Sequence, residues 1–192
     1  VTYSQDTLCN ELNISRTPVR EALLELQQEG YVTIMRGKGI QVIPVTPKRA
    51  RDIAEARYHL EVSGCTLAAL RRSEKQLLEM EKVSAELASQ CLSGDARTPY
   101  QLDRQFHRAI FLASGNTWMQ EEIEKLRDNF LRFETQSAFD HPDTAEQVIQ
   151  EHRGILTAIA AQDEKAAAEA MRYHMDCTAK RTLGHIMVES DE

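Results

Sequence analysis

Apolar positions near the start of the chain follow helical spacing. An i, i+3, i+4, i+7 pattern predicts a helix over about residues 16–29, with one apolar stripe facing inward. That stripe consists of Val19, Ala22, Leu23 and Leu26. Ser15 is placed to cap this helix and Gly30 to end it. A shorter helix is predicted over about residues 4–12, so two helices are joined by a tight turn.

Residues 31–43 change to a strand-like pattern. Two runs of β-favouring residues, 31–35 and 40–43, flank the turn 36–39, which contains two glycines. This arrangement predicts a β-hairpin. Residues 44–47 contain two prolines and predict a linker, because Pro47 suits the first position of a new helix.

The rest of the chain has a helical pattern throughout. Six helices are predicted, over about residues 47–72, 74–92, 98–113, 117–138, 143–161 and 163–188. Their short connections favour an antiparallel bundle. The predicted fold class is therefore mainly α, with a winged helix-turn-helix over residues 1–45 and an all-α antiparallel six-helix bundle over residues 46–192.

Composition excludes several classes of protein. The chain has 192 residues, and no apolar run approaches the roughly 20 residues of a membrane span. The four cysteines are widely separated, which argues against a disulfide scaffold or a thiolate zinc finger. They are Cys9, Cys65, Cys91 and Cys177. We therefore expect free thiols, a cytoplasmic location and no membrane partner.

Charge is distributed unevenly along the chain. The formal net charge is -7, yet residues 1–51 carry seven Lys or Arg against five Asp or Glu. Residues 52–192 carry sixteen against twenty-five. A mildly basic segment on an acidic body is typical of a nucleic-acid-binding module attached to a domain with another task. Ordinary surface variation produces such a difference as well.

Cationic side chains cluster where a recognition helix would meet DNA. Arg16, Thr17 and Arg20 lie in the first turns of the second helix, and the two arginines project from the same side. Arg36 and Lys38 lie at the tip of the hairpin, within reach of a phosphate or the minor groove. A solvated helix and a charged turn explain any one of these residues but not the whole arrangement.

These residues resemble the GntR family of bacterial transcription regulators over about residues 1–45. The resemblance is carried by residues 15–23, Glu29-Gly30 and the turn 36–39. It implies contacts with operator DNA from Ser15, Arg16, Thr17, Arg20 and Gly37, to which Arg36 and Lys38 are added by their position on the turn. Asp6 stands where some relatives have a DNA-contacting arginine, so that contact is expected to be absent. The family's first helix would precede Val1, so the winged helix-turn-helix is expected to be partial.

All six histidines lie in the acidic body. Asp103 and His107 are four residues apart on one predicted helix and share a face, whereas His152 and His174 lie on the last two helices. One carboxylate and three imidazoles would suit a divalent ion such as Zn²⁺, Ni²⁺ or Mn²⁺. Histidines that only pack or donate hydrogen bonds explain the same spacing, so the residues alone leave both interpretations open.

The body resembles the FCD effector domain of the FadR subfamily, in its six-helix VanR-like form. Many FCD domains bind a metal through an Asp-x-x-x-His pair and one histidine on each of the last two helices. Residues 103–110, 151–156 and 171–174 match these elements. The resemblance implies a divalent metal, most often zinc, at Asp103, His107, His152 and His174. His59, His141 and His185 match no such role and are assigned to the surface or to packing.

The resemblance also implies a small carboxylate effector, such as a sugar acid, a hydroxy acid or an aromatic acid. Arg57 lies where family members often place a pocket arginine, although an exposed arginine beside Glu61 explains it equally well. A homodimer is expected because two-fold operators need two DNA-binding heads. The predicted function is thus a ligand-responsive transcription regulator, more often a repressor in this family.

Two alternatives remain at this level. A zinc ion held by three histidines and an aspartate can activate water in a hydrolase. The chain has no H-E-x-x-H motif, however, and Glu151 is predicted to point to a different helix face from His152. We therefore predict no catalytic residues and no enzyme. The second alternative is a regulator in which the ion only holds the bundle together.

Overall fold

Two units divide the chain, Val1–Thr46 and Pro47–Glu192. The structure is a computed structural model that describes residues 2–44, 46–91, 97–130 and 142–188. The first unit contains two helices and three strands, and the second contains six helices within the described ranges. The mainly α fold class is therefore confirmed.

The first unit is a helix-turn-helix followed by a small antiparallel sheet. Its elements are β1 (Thr2–Tyr3), α1 (Gln5–Leu12), α2 (Arg16–Gln28), β2 (Val32–Met35) and β3 (Gly39–Val42). β3 lies between the other two strands, with Thr2 opposite Gln41 and Ile34 opposite Ile40. The two helices and the β2–β3 hairpin, here called the wing, confirm the prediction. The pattern does not predict β1, because two residues are too few to show a period.

Local backbone chemistry sets the ends of these elements. Ser4 Oγ accepts a hydrogen bond of 3.0 Å from the Thr7 N–H and so caps α1. Asn13 ends α1 in the left-handed region, at a φ of 54°. Gly39 has a φ of 96°, and an added Cβ there would lie 2.5 Å from the Tyr3 carbonyl oxygen. Glycine is therefore required where β1 pairs with the wing.

The core of the first unit is small. It consists of Val19, Leu23, Val32 and Ile40. Ala22 and Leu26 are exposed, so the prediction that the whole stripe faces inward is wrong for these two residues. Among the described elements, α1 and β2 make the most extensive contacts with α2. They cover only part of its apolar face, which is why half of the stripe remains in contact with solvent.

The second unit is a bundle of six helices. They are α3 (Pro47–Arg71), α4 (Glu74–Gln90), α5 (Arg97–Ser114), α6 (Thr117–Phe130), α7 (Pro142–Ala160) and α8 (Glu164–Val188). The six predicted helices are confirmed, although residues 131–138 of the fourth one lie outside the described residues. α3 packs against α5, α6, α7 and α8 and is therefore the central helix. In the described ranges no helix has the length and hydrophobicity that crossing a membrane requires.

A close contact joins α3 to α5. Gly64 on α3 faces Phe111 on α5, and an added Cβ at Gly64 would lie 2.6 Å from Phe111 Cε1. Apolar residues such as Phe106, Ile155 and Met171 form the core of the bundle and are fully buried. Polar groups on the same inward faces are consequently shielded from water.

Candidate functional site

Three buried histidines lie together inside the bundle. His107 on α5 and His152 on α7 are 0% exposed, and His174 on α8 is 2% exposed. Each offers one ring nitrogen, and these atoms lie within 4.8 Å of one another. Each histidine follows the apolar face of its helix, as Ile155 and Met171 show for α7 and α8. The convergence therefore follows from the packing of three amphipathic helices.

Asp103 belongs to the same group of side chains. Its Oδ1 lies 3.2 Å from His152 Nε2 and 4.0 Å from His107 Nε2. The structure thus brings together all four side chains that the sequence marks as ligands. We refer to Asp103, His107, His152 and His174 as the Asp-His cluster.

The donors of the Asp-His cluster fit a divalent ion. The His152 ring is fully buried and stacks on Phe106 at a centroid distance of 4.4 Å. Among the described residues its Nδ1 has no hydrogen-bond partner, and its Nε2 lies 3.2 Å from Asp103 Oδ1 without hydrogen-bond geometry. Buried polar atoms are nearly always partnered, so this histidine is poorly explained by packing alone. Three imidazoles and one carboxylate are a donor set that Zn²⁺ and similar ions accept.

Protonation states in the cluster favour the binding of a cation. Burial lowers the pKa of His107 to about 3, although the neighbouring Glu61 carboxylate opposes this effect. Burial also lowers the pKa of His174. For Asp103, burial raises the pKa, but the His152 and His107 rings and the Arg127 guanidinium hold it well below its ordinary range. The neutral imidazole and the ionised carboxylate are the forms that bind metal ions.

A buried glutamate lies directly behind His107. Glu61 on α3 is 0% exposed, and its Oε2 lies 3.0 Å from His107 Nδ1. Arg127 on α6 donates two hydrogen bonds to Glu61 Oε1, of 3.0 Å from Nε and 2.8 Å from Nη2. Burial raises the pKa of the Glu61 carboxyl, but Arg127 and His107 outweigh burial and hold it well below its usual range. Neither Glu61 nor Arg127 is among the predicted site residues.

A second glutamate lies behind His174. Glu151 Oε2 is 2.8 Å from His174 Nδ1, and Arg181 donates hydrogen bonds of 2.8 and 2.9 Å to the two oxygens of Glu151. Burial raises the pKa of Glu151, but the hydrogen bonds from Arg181 and His174 lower it to about 2. Glu151 contacts two residues of α8, His174 and Arg181, and this contact with the surroundings of the site is not predicted from the sequence. Both of its oxygens are engaged, so it is not placed as a general base.

Arg57 is buried rather than exposed. It is 4% exposed, and its Nε donates a hydrogen bond of 3.4 Å to Glu61 Oε1. The alternative of a solvated helix arginine is therefore wrong, because Arg57 lies on the face of α3 that packs against α8. Together with Met175 and Thr178 it lines a cavity of about 300 Å³ between these helices.

The seven predicted DNA-contacting residues are exposed on the first unit. Ser15, Arg16, Thr17 and Arg20 lie at the start of α2, and Arg36, Gly37 and Lys38 lie on the turn of the wing. Gly37 has a φ of 74°, and Lys38 N–H donates a hydrogen bond of 3.0 Å to the Met35 carbonyl across this turn. The cations of the wing are thus carried on a tight turn that faces solvent.

A groove lies between α2 and the wing. It has a volume of about 450 Å³, and its lining includes Arg20, Gln27, Arg36 and Gly37. Arg16 lies outside this lining, and its Nη2 forms an ion pair of 2.9 Å with Asp6 Oδ1. Arg20 and Arg36 therefore flank one surface that a nucleic acid backbone can follow.

Other predicted assignments have mixed outcomes. His59 is exposed on α3, as expected for a surface residue. His141 and the side chain of His185 lie outside the described residues. The four cysteines are free thiols.

Comparison with protein-family models matches both units. Residues 52–176 match the FCD domain, and residues 4–42 match the bacterial regulatory proteins of the gntR family. The FCD match alone covers more than half of the chain.

Individual proteins extend this likeness to the whole chain. The Exu regulon transcriptional regulator of Escherichia coli K12 is 26% identical in an alignment of 188 positions that covers 89% of this chain and 71% of that protein. The HTH-type transcriptional repressor RspR of the same organism is 26% identical over 175 residues, 90% of this chain and 75% of that protein. Among solved structures, E. coli McbR/YncC has a TM-score of 0.80 at 23% identity, over 97% of this chain and 88% of that one. This structural likeness concerns the fold.

Proposed function

The chain belongs to the GntR family of bacterial regulatory proteins and carries an FCD domain, and from this membership we propose a ligand-responsive repressor. It is a transcriptional regulator rather than an enzyme, as its relatives are. In the proposal, a divalent ion in the Asp-His cluster receives a small carboxylate, and the protein then releases operator DNA. The observation that carries the proposal is the convergence of three buried histidines within 4.8 Å.

Operator binding is assigned to the exposed surface of the first unit. Arg20 is proposed to read a base edge in the major groove, with Arg16 and the hydroxyls of Ser15 and Thr17 beside it. Arg36, Gly37 and Lys38 are proposed to contact the backbone or the minor groove. A homodimer is proposed because a two-fold operator presents two half-sites to two heads.

The Asp-His cluster is proposed to hold the ion, with Zn²⁺ as the expected metal and Ni²⁺ or Mn²⁺ as alternatives. The ion would supply positive charge and a coordination position for a carboxylate oxygen. The residues of the chain supply the rest of the site. They exclude water through the apolar core around Phe106, and they keep the imidazoles of His107 and His174 neutral by burying them.

Arg57 is proposed to bind the far end of the effector. Its burial and its position on a cavity between α3 and α8 support this role, because a buried guanidinium attracts a carboxylate strongly. A ligand in contact with α3 and with the cluster would touch helices on several sides of the bundle. It can shift the DNA-binding equilibrium only by its difference in affinity for two conformations, and couplings of about 1–3 kcal/mol are typical.

Metal content tests the ion site. Replacing His152 with Ala should lower the zinc bound per chain after equilibration with Zn²⁺ and gel filtration, as measured by elemental analysis. His59→Ala is the matched control, because it removes an exposed histidine from the same unit. Equal zinc in His152→Ala and in the wild type would reject the site.

Operator release tests the regulatory part of the proposal. Fluorescence anisotropy with the DNA upstream of the chain's own gene should report binding, at fixed salt, by wild-type protein loaded with Zn²⁺. A panel of sugar acids, hydroxy acids and aromatic acids is then added. A carboxylate that releases DNA from the wild type, but not from Arg57→Gln, supports the proposal. Zinc that raises thermal stability without any response to the panel would instead indicate a structural ion.

A further inference from the structure

Two of the three histidines are each supported by a carboxylate from a neighbouring helix. Glu61 on α3 contacts His107 on α5 through Nδ1, at 3.0 Å. Glu151 on α7 contacts His174 on α8, again through Nδ1, at 2.8 Å. In both cases the nitrogen that faces away from the cluster is the one engaged, and Nε2 is left facing inward.

An arginine holds each carboxylate in place by two hydrogen bonds. Arg127 donates from Nε and Nη2 to a single oxygen of Glu61, at 3.0 and 2.8 Å. Arg181 donates from Nη1 and Nη2 to both oxygens of Glu151, at 2.8 and 2.9 Å. Arg181 thereby fixes both the position and the direction of the Glu151 carboxylate. In Glu61 the two oxygens have separate partners, Arg127 at Oε1 and His107 at Oε2. His107 and His174 therefore each contact a carboxylate that an arginine holds in place.

The contacts determine which ring nitrogen carries the proton. A carboxylate held by an arginine only accepts hydrogen bonds, so Nδ1 of His107 and of His174 must be the donor. In a neutral imidazole the other nitrogen, Nε2, then presents a lone pair. The two Nε2 atoms lie 3.2 Å apart. Two lone pairs at this distance repel each other unless a cation binds both.

We propose that Glu61 and Glu151 are positioning residues that set the Nδ1–H tautomer of His107 and His174 and direct both Nε2 atoms at one ion. This inference rests on the proposed ion site. It adds four residues to that site, because Arg127 and Arg181 hold the two glutamates. Carboxylates behind metal-binding histidines orient the rings and raise affinity, commonly by 10- to 100-fold.

His152 differs from the other two histidines. Within the described residues its Nδ1 has no hydrogen-bond partner, and the ring is held by stacking on Phe106. The His152 Nε2 lies 3.2 Å from Asp103 Oδ1, outside hydrogen-bond geometry. The site therefore has two histidines whose Nδ1 is engaged by a glutamate and one whose Nδ1 is not.

The first experiment measures the affinity for Zn²⁺ by competition with a chromophoric chelator, using the full chain. Glu151→Gln should weaken Zn²⁺ binding about 10- to 100-fold, since an amide can present either its oxygen or its NH₂ group to His174. Glu169→Gln, which changes an exposed glutamate on α8, is the matched control and should leave the affinity unchanged. Unchanged affinity in Glu151→Gln would overturn the proposal for this residue.

Glu61 needs a second variant, because Glu61→Gln leaves the buried Arg127 without its carboxylate. The double variant Glu61→Gln/Arg127→Gln removes both charges of this pair and keeps hydrogen-bonding side chains at both positions, so that Arg57 Nε, which is 3.4 Å from Glu61 Oε1, still has a side-chain oxygen to donate to. It is expected to fold, as judged by circular dichroism, and to bind Zn²⁺ about 10- to 100-fold more weakly. Wild-type affinity in the folded double variant would overturn the role of Glu61.

The second experiment reads the tautomers directly, without metal. Two-dimensional ¹H–¹⁵N NMR of the imidazole rings in chelator-treated protein should show His107 and His174 as Nδ1–H tautomers. In Glu151→Gln, His174 should lose this single tautomer while His107 keeps it. Nε2–H tautomers of both rings in the wild type would overturn the proposal. If the wild type binds no divalent ion, the ion site fails, and the ring spectra alone then decide whether the glutamates set the tautomers.

Discussion

The two units handle charge in opposite ways. In the first unit the proposed DNA-contacting cations face solvent, and even the Arg16–Asp6 pair leaves 76% and 64% of its side chains exposed. In the second unit Arg57, Glu61 and Arg127 are at most 5% exposed, and both arginines donate hydrogen bonds to Glu61. An exposed cation is available to a partner that approaches from outside. A buried charge must form its ion pairs and hydrogen bonds with other residues of the protein, so the fold determines its partners.

This difference has an energetic consequence. Exposed ion pairs contribute little to stability, whereas breaking a buried pair strands a charge in a medium that solvates it poorly. The first unit can therefore change its surface residues with small effects on folding and large effects on recognition. In the second unit, a substitution in the buried network of Arg57, Glu61 and Arg127 is expected to change the stability of the fold together with the binding of the proposed ion and effector.

The largest expected effect is on the stability of the second unit. Arg127→Ala removes two hydrogen bonds from the buried Glu61 carboxylate, which among the described residues keeps only Arg57 at 3.4 Å and His107 at 3.0 Å, and should lower the free energy of unfolding by up to about 3–5 kcal/mol. Arg16→Ala, which breaks the exposed pair with Asp6, should cost less than about 1 kcal/mol. Urea titration followed by circular dichroism measures both. Similar losses in the two variants would contradict the contrast between the units.

A pH dependence is expected in the second unit, since residues 1–51 contain no histidine. The pKa of His107 falls from 6.5 to about 3 on folding, so between these values the unfolded chain binds the proton and the folded one does not. The contribution of His107 to the free energy of unfolding is therefore fully present above pH 6.5. It decreases as the pH falls towards 3, by up to about 1.4 kcal/mol per pH unit. Thermal melts of chelator-treated protein test this. His107→Gln should show a shallower decrease, and an equal slope would contradict the assignment.

Recognition should respond most strongly to Arg20. Arg20→Ala should weaken operator binding by about 1–3 kcal/mol at fixed salt if the guanidinium contacts a guanine through two hydrogen bonds. Fluorescence anisotropy with operator DNA measures the change. Arg172→Ala, an exposed arginine on α8, serves as the control. Neither variant should alter zinc content, because neither residue belongs to the Asp-His cluster.

The smallest expected effect is at the wing. Lys38→Ala should reduce the slope of log K against log salt concentration by about one, which corresponds to one lost phosphate contact. Affinity should fall by a similar factor for operator and for unrelated DNA. A loss confined to the operator would indicate that Lys38 reads bases instead of the backbone.

The first unit was predictable from the sequence because its signals are local. Ser4, the apolar positions Val19 and Leu23 and the glycine-rich turn each specify a boundary or a face within a few residues. The exposure of Ala22 and Leu26 was not predictable, since periodicity indicates a face but not how much of it a partner covers. Strand β1 was missed because its pairing with β3 joins opposite ends of the unit.

The second unit was predictable in outline and only partly in its site. Asp103 and His107 share a helix turn, and together with the other two histidines they match a family pattern. Glu61, Arg127, Glu151 and Arg181 act across helices, so no spacing within one helix indicates their pairing. One signal was available. Glu61 and Arg127 each occupy the apolar face of a helix, as buried Cys65 and Ile123 show four residues away, and a charge in such a position requires a buried partner.

The tight contact between Gly64 and Phe111 links helix spacing to the ion site. Phe111 lies one helical turn beyond His107 on α5, and Asp103 lies one turn before it. A side chain at position 64 would clash with Phe111 and displace α5. Asp103 and His107, which both lie on α5, would then move together relative to His152 and His174. In a genetic screen, alleles at this glycine would mimic the loss of a ligand although they never touch the ion. The spacing between the donors of α5 and those of α7 and α8 therefore depends on position 64 having no Cβ.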